Sequence, residues 1–185
     1  MPRYIAFLRG INVGGHRVKM DRLRSLFEEL GLTNVSTFLA SGNVAFSIDS
    51  GDVDELRERI ESHLLRELGY EVATFLRSPA ELAAIVALDP TGGTRQEPAG
   101  SSHYVILLDA PAPESLRSAL SQLNSDMDEF HFSETEVHWL IRGKLTESPL
   151  FEGGLDRALK GLRTTTRNRN TLQRISAKTG YLEAP

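Results

Sequence analysis

The strongest constraint on the fold is the order in which short apolar runs and amphipathic stripes alternate in the first half of the chain. Apolar residues recur every three or four positions in two segments, and form short continuous or alternating runs in four others. The predicted strands are 3–8, 35–39, 44–48 and 71–76, and the predicted helices are 20–30 and 53–68. This order is that of a ferredoxin-like βαββαβ unit, so we predict an α+β fold.

Glycines and capping residues mark where these helices begin and end. Gly31 and Gly69 each follow an apolar stripe, and glycine is favoured after a helix because it adopts a left-handed backbone without a Cβ clash. Asp52 precedes the second stripe, with a glutamate three residues later, which is typical of a capping box. Ser78 followed by Pro79 predicts a third helix after the fourth strand.

The second half of the chain predicts a related α+β arrangement with a helix at its C-terminal end. The expected elements are a strand at 103–108, a helix at 113–123, a hairpin of 129–133 and 136–141, a short helical stripe at 155–162 and a last helix from about Asn168. The glycine- and proline-rich stretch 89–102 is predicted to be a loop or linker. We therefore predict subdomains at 1–88 and 103–185, joined by 89–102.

Composition excludes several classes of protein. The chain has no cysteine, which rules out thiolate metal sites, iron–sulfur clusters and cysteine nucleophiles and fits a reducing cytoplasm. No apolar run approaches the roughly 18 residues that a membrane span needs, so we predict a cytoplasmic protein without a membrane partner. Net charge is −4, yet Met1–Arg24 holds six basic residues and one acid, and Arg157–Pro185 holds seven and one. These ends either form a local positive field or only attract the acidic middle.

Two polar loops are expected at one edge of the first sheet. The crossover helix makes the first two strands parallel, so the loop after the first strand and the turn after the second share an edge. The first loop opens a helix, whose free N–H groups and dipole favour an anion. The candidate ligand-binding residues are Arg9, Asn12, Gly14 and Gly15 in the loop, and Ser41 and Asn43 in the turn. The alternative is that the glycines shape a sharp loop and the amides satisfy backbone groups.

A second polar cluster lies near the C-terminus. Arg167 can form a fork on a carboxylate or phosphate, and Asn168 is a candidate ligand residue that can instead cap the last helix. The two interpretations are compatible. These residues join the first loop only if the C-terminal segment folds back to that edge.

These segments resemble a known family. The motifs are Leu8-Arg9-Gly10-Ile11-Asn12-Val13-Gly14-Gly15, Met20-x-x-Leu23, Thr37-Phe38-x-x-Ser41-Gly42-Asn43-Val44-x-Phe46 and Thr166-Arg167-Asn168-x-Asn170-Thr171. Together they resemble the bacterial domain-of-unknown-function family numbered 1697. The resemblance implies a two-part α+β fold and a bacterial cytoplasmic protein. It implies no activity, cofactor or catalytic residue.

Other chemistry finds little support in the sequence. The five histidines show no metal-ligand spacing, so no metal or cofactor is predicted. His131 and His138 are expected as exposed cross-strand neighbours on the predicted hairpin. The leading prediction is a protein that binds a small phosphate- or carboxylate-bearing ligand, and the sequence does not separate a binder from an enzyme. The alternatives are a nucleic-acid binder, which the acidic net charge disfavours, and an interaction module such as a homodimer that pairs sheet edges.

Overall fold

A computed structural model of the chain describes residues 1–38, 42–93 and 99–180. Two compact units are present: a first unit of Met1–Ala83 with the C-terminal residues from Ile175, and a second unit of Ala84–Arg174. Each unit contains one four-stranded antiparallel sheet. The α+β class is confirmed. The described parts of the predicted linker, 89–93 and 99–102, are grouped with the second unit.

The first unit has the predicted order of elements. They are β1 (Arg3–Arg9), α1 (Met20–Glu28), β2 (Thr33–Phe38), β3 (Asn43–Ser47), α2 (Val53–Leu68) and β4 (Ala73–Arg77), followed by α3 (Pro79–Ala87), which begins in the first unit and ends in the second. The strand order is β2-β3-β1-β4. Because β1 and β2 are both antiparallel to β3, they run in the same direction and end at the same edge of the sheet.

The core of the first unit lies between one face of this sheet and helices α1 and α2. Its members are apolar side chains that the strand and helix periodicities point inward, among them Leu8, Leu23, Phe27, Phe46 and Ile60. Burial of each such side chain contributes about 1.5–3 kcal/mol. Ile11, from the loop after β1, belongs to the same cluster, so the core anchors that loop at its start.

The second unit repeats the order of elements with different lengths. It contains β5 (Ser102–Leu108), α4 (Glu114–Ser121), β6 (Asp128–Phe132), β7 (Glu136–Ile141), a 3-10 turn (Leu145–Glu147), α5 (Gly154–Ala158) and β8 (Thr164–Asn168), followed by α6 (Arg169–Gly180), which begins in the second unit and ends in the first. The strand order is β6-β7-β5-β8. The short helix α5 covers only the start of the stripe that predicted a helix at 155–162.

Strand β8 was not predicted, because its sequence contains no apolar residue. Its threonines have high strand propensity, and its pairing runs from Thr164 opposite Leu108 to Asn168 opposite Tyr104. Thr164 and Thr165 are buried in this position. The strand therefore depends on its tertiary pairing with β5 rather than on its own hydrophobic pattern.

The core of the second unit is built around Trp139 on β7. Its ring stacks on Phe130 at a centroid distance of 5.9 Å. Its indole N–H donates to Oδ1 of the buried Asp128 at 2.8 Å, and the Ser148 hydroxyl donates to the same oxygen at 2.8 Å. The buried carboxylate thus links β6, β7 and the segment after the 3-10 turn.

Among the described residues, no helix combines the length and the apolar character that crossing a lipid bilayer requires.

Candidate functional site

The connection from β1 to α1, residues 10–19, is held in one shape by contacts from several directions. Oδ1 of Asn12 accepts a hydrogen bond from the Val18 N–H at 2.7 Å, across the loop. The Tyr70 hydroxyl donates to the Ile11 carbonyl at 3.0 Å. The His16 ring stacks on the Tyr70 ring at 3.8 Å between centroids. Burial raises the pKa of the Tyr70 hydroxyl, which keeps it a donor.

Two exposed glycines form the outer part of this β1–α1 loop. Gly14 has φ +63° and Gly15 has φ +90°, backbone conformations that non-glycine residues rarely adopt. No atom of the residues that the structure describes lies within 4 Å of a Cβ built at either position. The peptide groups at this tip are therefore open to close approach by another molecule.

The loop leads into the amino end of α1, which carries no side-chain cap. The N-cap residue is Lys19, whose side chain makes no capping hydrogen bond. In α2 of the same unit, by contrast, Asp52 accepts from the N–H groups of Asp54 and Glu55. The first N–H groups of α1 and its dipole therefore favour a negative group at the end of the loop.

The loop itself carries only basic charges, and the first turn of α1 carries one acid, Asp21. Arg9, Arg17 and Lys19 are exposed, and no acidic residue precedes Asp21 in the chain. Basic side chains beside open peptide N–H groups are the combination that binds phosphate and carboxylate groups in proteins.

Gly42, which directly precedes β3, packs against the start of this loop. The Leu8 N–H donates to the Gly42 carbonyl at 2.8 Å, and a Cβ at Gly42 would lie 2.5 Å from Cγ2 of Ile11. Asn43 is fully buried, and its amide donates to the Phe38 carbonyl at 2.8 Å, which stabilises the hairpin. Ser41, the other predicted residue of this turn, lies outside the described residues.

The two C-terminal candidates, Arg167 and Asn168, lie in the second unit. The Arg167 guanidinium donates to the Thr165 hydroxyl at 2.7 Å and to the Thr166 carbonyl at 2.9 Å. Burial lowers its pKa to about 10. Oδ1 of Asn168 accepts from the Asn170 N–H at 2.9 Å, which is the hydrogen bond of a helix cap.

One cation near the predicted turn was missed by sequence reasoning. Lys178, on the part of α6 that belongs to the first unit, places its ammonium group 5.7 Å from the centre of the Phe38 ring. Phe38 ends β2, at the edge of the sheet that carries the β1–α1 loop. No local sequence signal could have found this neighbour, because it depends on where the last helix lies.

Glu29, His63 and Glu67 form a cluster of the kind that can hold a metal ion, with ligand atoms within 4.8 Å of one another. Two arginines already bind the ligand atoms of this cluster. Arg22 bridges both carboxylates at 2.7 and 2.9 Å, and Arg66 donates to Nδ1 of His63 at 2.6 Å. Because Nδ1 accepts, the proton of neutral His63 sits on Nε2, which donates to Glu29 at 3.1 Å. The cluster is therefore an ion-pair network.

The two histidines of the β6–β7 hairpin are cross-strand neighbours as expected, but the expected exposure of His138 was wrong. The pairing is direct, whereas His138 is 0% exposed. The prediction assumed that one face of the hairpin is open to solvent, and the alternation of apolar and polar residues cannot reveal that both faces are covered.

The fold and this loop define an α+β protein of two units, with an exposed basic loop before its first helix. The chain belongs to the family described as a protein of unknown function (DUF1697), which matches residues 1–138. The solved structure of a conserved bacterial protein, SP0830 of Streptococcus pneumoniae, is similar: identity is 22%, the TM-score is 0.67, and the match covers 97% of this chain and 99% of that chain. At this identity the likeness shows a shared fold. No curated protein matches the chain.

Proposed function

We propose that the protein binds a small anionic ligand, carrying a phosphate or carboxylate group, at the β1–α1 loop and the adjoining turn after β2. The observation that carries the proposal is the uncapped amino end of α1, which follows a loop of open glycines and exposed basic side chains. An anion there receives backbone N–H groups and the positive end of the helix dipole.

The predicted residues divide into two roles under this proposal. Arg9, Gly14 and Gly15 supply charge and open backbone for the ligand, together with Arg17 and Lys19. Asn12 acts as a positioning residue, because its amide oxygen already accepts the Val18 N–H. Asn43 has the same kind of role in the hairpin, because it is fully buried and donates to a strand carbonyl.

The proposal is tested by ligand-dependent thermal unfolding of the full chain. The panel contains inorganic phosphate, sulfate, nucleotides, sugar phosphates, dicarboxylates and short oligonucleotides. A ligand at about 100 times its dissociation constant should add about 2.7 kcal/mol to the free energy of unfolding. Arg9→Ala should reduce that stabilisation. Arg24→Ala is the matched control, because Arg24 is exposed on the outside of α1.

The outcomes separate the alternatives. Equal stabilisation of the wild type and the Arg9→Ala variant by a ligand would rule out the loop as its site. Stabilisation by oligonucleotides alone, falling steeply as salt rises, would favour nucleic-acid binding instead. No response to any member of the panel would leave the glycines and amides with a structural role only.

A further inference from the structure

The second unit contains three buried polar atoms without a hydrogen-bond partner on residues that the strand register places on or next to β5 and its neighbours β7 and β8. Among the described residues they are Oγ of Ser101, Nε2 of His138 and Nε of Arg169. Ser101 precedes β5, and His138 bonds through its other nitrogen to His103 on β5, at 2.9 Å from Nδ1 of His138 to Nε2 of His103. Buried polar groups are nearly always satisfied, so such a concentration indicates a missing partner.

The sheet register explains why these histidines meet. Val105 of β5 lies opposite His138 of β7, and His103 stands two residues earlier on the same strand face. The opposite face of the sheet carries the core cluster around Trp139. The two histidines therefore lie on the face of the sheet away from that cluster, beside the buried apolar residues Val105 and Leu140.

The chemistry of the free atoms points to an acceptor. The Arg169 guanidinium can only donate, and one of its terminal nitrogens already donates to the Val86 carbonyl. When Nε2 of His103 donates to Nδ1 of His138, the proton of neutral His138 sits on Nε2 and makes that atom a donor as well. Two unsatisfied N–H donors then remain, and the Ser101 hydroxyl can supply a third.

Arg169 supplies a positive charge beside these histidines, and it also interacts with the Asp89 carboxylate. Burial is the largest cause that lowers the pKa of His103 to about 3 and that of His138 to about 4, and the Arg169 charge lowers both further. Glu136 and Asp89 act in the opposite direction, on His138 and His103 respectively. Asp89 is itself engaged, because its carboxylate accepts from Thr91 and from the Gly93 N–H. No carboxylate among the described residues forms a hydrogen bond with Nε of Arg169.

We propose that Arg169, His138 and His103 form a second binding site, for a small oxyanion such as inorganic phosphate. The oxyanion accepts the N–H groups of Arg169 Nε and His138 Nε2, and His103 is a positioning residue that fixes the tautomer of His138. Arg169 and His103 are only partly buried, so the cluster is open on their side, whereas His138 is 0% exposed. This site is independent of the one proposed at the β1–α1 loop.

The test uses the full chain and inorganic phosphate, with chloride at matched ionic strength as the reference. Affinity is followed by calorimetry and by the fluorescence of Trp139, the single tryptophan, which lies on β7 beside His138. Arg169→Gln should weaken phosphate binding about ten- to a hundredfold, the effect typical of a lost hydrogen bond to a charged group. Arg163→Gln is the matched control, because Arg163 is a half-exposed arginine of the same unit in an ion pair with Asp109.

A second readout does not depend on a foldable His138 variant. Bound phosphate should raise the pKa values of His103 and His138 measured by NMR, because a nearby anion favours the protonated ring. Phosphate binding that Arg9→Ala abolishes and Arg169→Gln leaves intact would overturn the second site and support the loop alone. Unchanged histidine pKa values together with no phosphate effect on stability would overturn it too, and would assign the free donors to ordered water.

Discussion

The two units fold the same order of elements into equivalent sheets, yet they connect their first strand to their first helix in different ways. The sheet orders β2-β3-β1-β4 and β6-β7-β5-β8 correspond strand for strand. In the second unit the connection from β5 to α4 is 109–113, five residues with two prolines. In the first unit it is 10–19, ten residues with two exposed glycines at positive φ.

The five-residue connection shows that this topology does not require a β1–α1 loop as long as ten residues. Both α1 and α4 begin without a side-chain cap, so an uncapped helix start alone does not distinguish them. The charged residues near the two helix starts do distinguish them. Basic side chains precede α1, whereas Asp109 follows β5 and pairs with Arg163. The extra length and the positive charge of the first connection therefore argue for a role beyond joining two elements.

The units also differ in how they satisfy a buried histidine. In the first unit His63 has partners on both ring nitrogens, Glu29 and Arg66. In the second unit, within the described part of the chain, His138 has a partner on one nitrogen only. A complete network stabilises a fold, whereas an incomplete one is where a ligand can be expected.

The largest expected effect tests how tightly the first unit couples its loop to its sheet. Gly42→Ala should destabilise the protein by about 2–5 kcal/mol, because the left-handed backbone costs about 1–2 kcal/mol and overpacking against Ile11 adds about 1–3 kcal/mol. The residue has φ +75°, and its Cβ would meet Cγ2 of Ile11 at 2.5 Å. Urea unfolding followed by far-UV circular dichroism measures the change.

Gly14→Ala is the control that measures only the cost of placing alanine in a left-handed backbone conformation. Gly14 has φ +63° with nothing within 4 Å of its Cβ, so we expect a loss of only about 1–2 kcal/mol. Equal losses for the two variants would mean that the turn does not pack against the loop as described.

The second prediction probes the corresponding anchor of the second unit. Asp128→Ala removes the acceptor of both Trp139 Nε1 and the Ser148 hydroxyl, and each buried donor left unsatisfied costs about 1–3 kcal/mol. We expect a loss of about 2–4 kcal/mol and a changed emission of Trp139, measured by fluorescence-detected unfolding. Asp126→Ala, at an exposed position two residues earlier, should change neither. Unaltered emission in the Asp128 variant would contradict the hydrogen bond to the indole.

The third prediction uses pH to separate the units. His103 and His138 have folded-state pKa values of about 3 and about 4, below the ordinary 6.5. The unfolded chain therefore binds more protons between these values, and stability is lost as pH falls below 6.5. The slope is at most about 1.4 kcal/mol per pH unit for each histidine, and the half-buried His103 contributes less. The slope is measured from the denaturant midpoint of unfolding, followed by Trp139 fluorescence at a series of pH values. A midpoint that does not change between pH 6.5 and pH 4 would exclude buried neutral histidines.

The sequence predicted the parts of the fold whose hydrophobic pattern is local. Strand β7 has the predicted bounds 136–141, and Gly69 ends α2 in the left-handed conformation. Strand β8 was not predicted, because its threonines and arginine form a strand only through pairing with β5. The closeness of Gly42 to Ile11 agrees with the strand directions, since β1 and β2 end at one edge. The Lys178–Phe38 contact and the burial of His138 depend on tertiary placement, which no local pattern encodes.

The smallest expected change in stability comes from a variant that affects the β1–α1 loop of the first unit. Tyr70→Phe removes only the hydrogen bond to the Ile11 carbonyl and keeps a ring for His16 to stack on, so stability should fall by about 0.5–1.5 kcal/mol. If the loop binds an anion, the variant should also bind phosphate more weakly, because the hydrogen bond from Tyr70 helps to hold the loop in its binding shape. Tyr104→Phe is the control, a partly buried tyrosine of the second unit whose ring lies 5.7 Å from that of Trp139. Loss of affinity in the Tyr70 variant alone would tie binding to the loop, whereas equal affinity in both would mean that the ligand does not depend on the shape Tyr70 maintains.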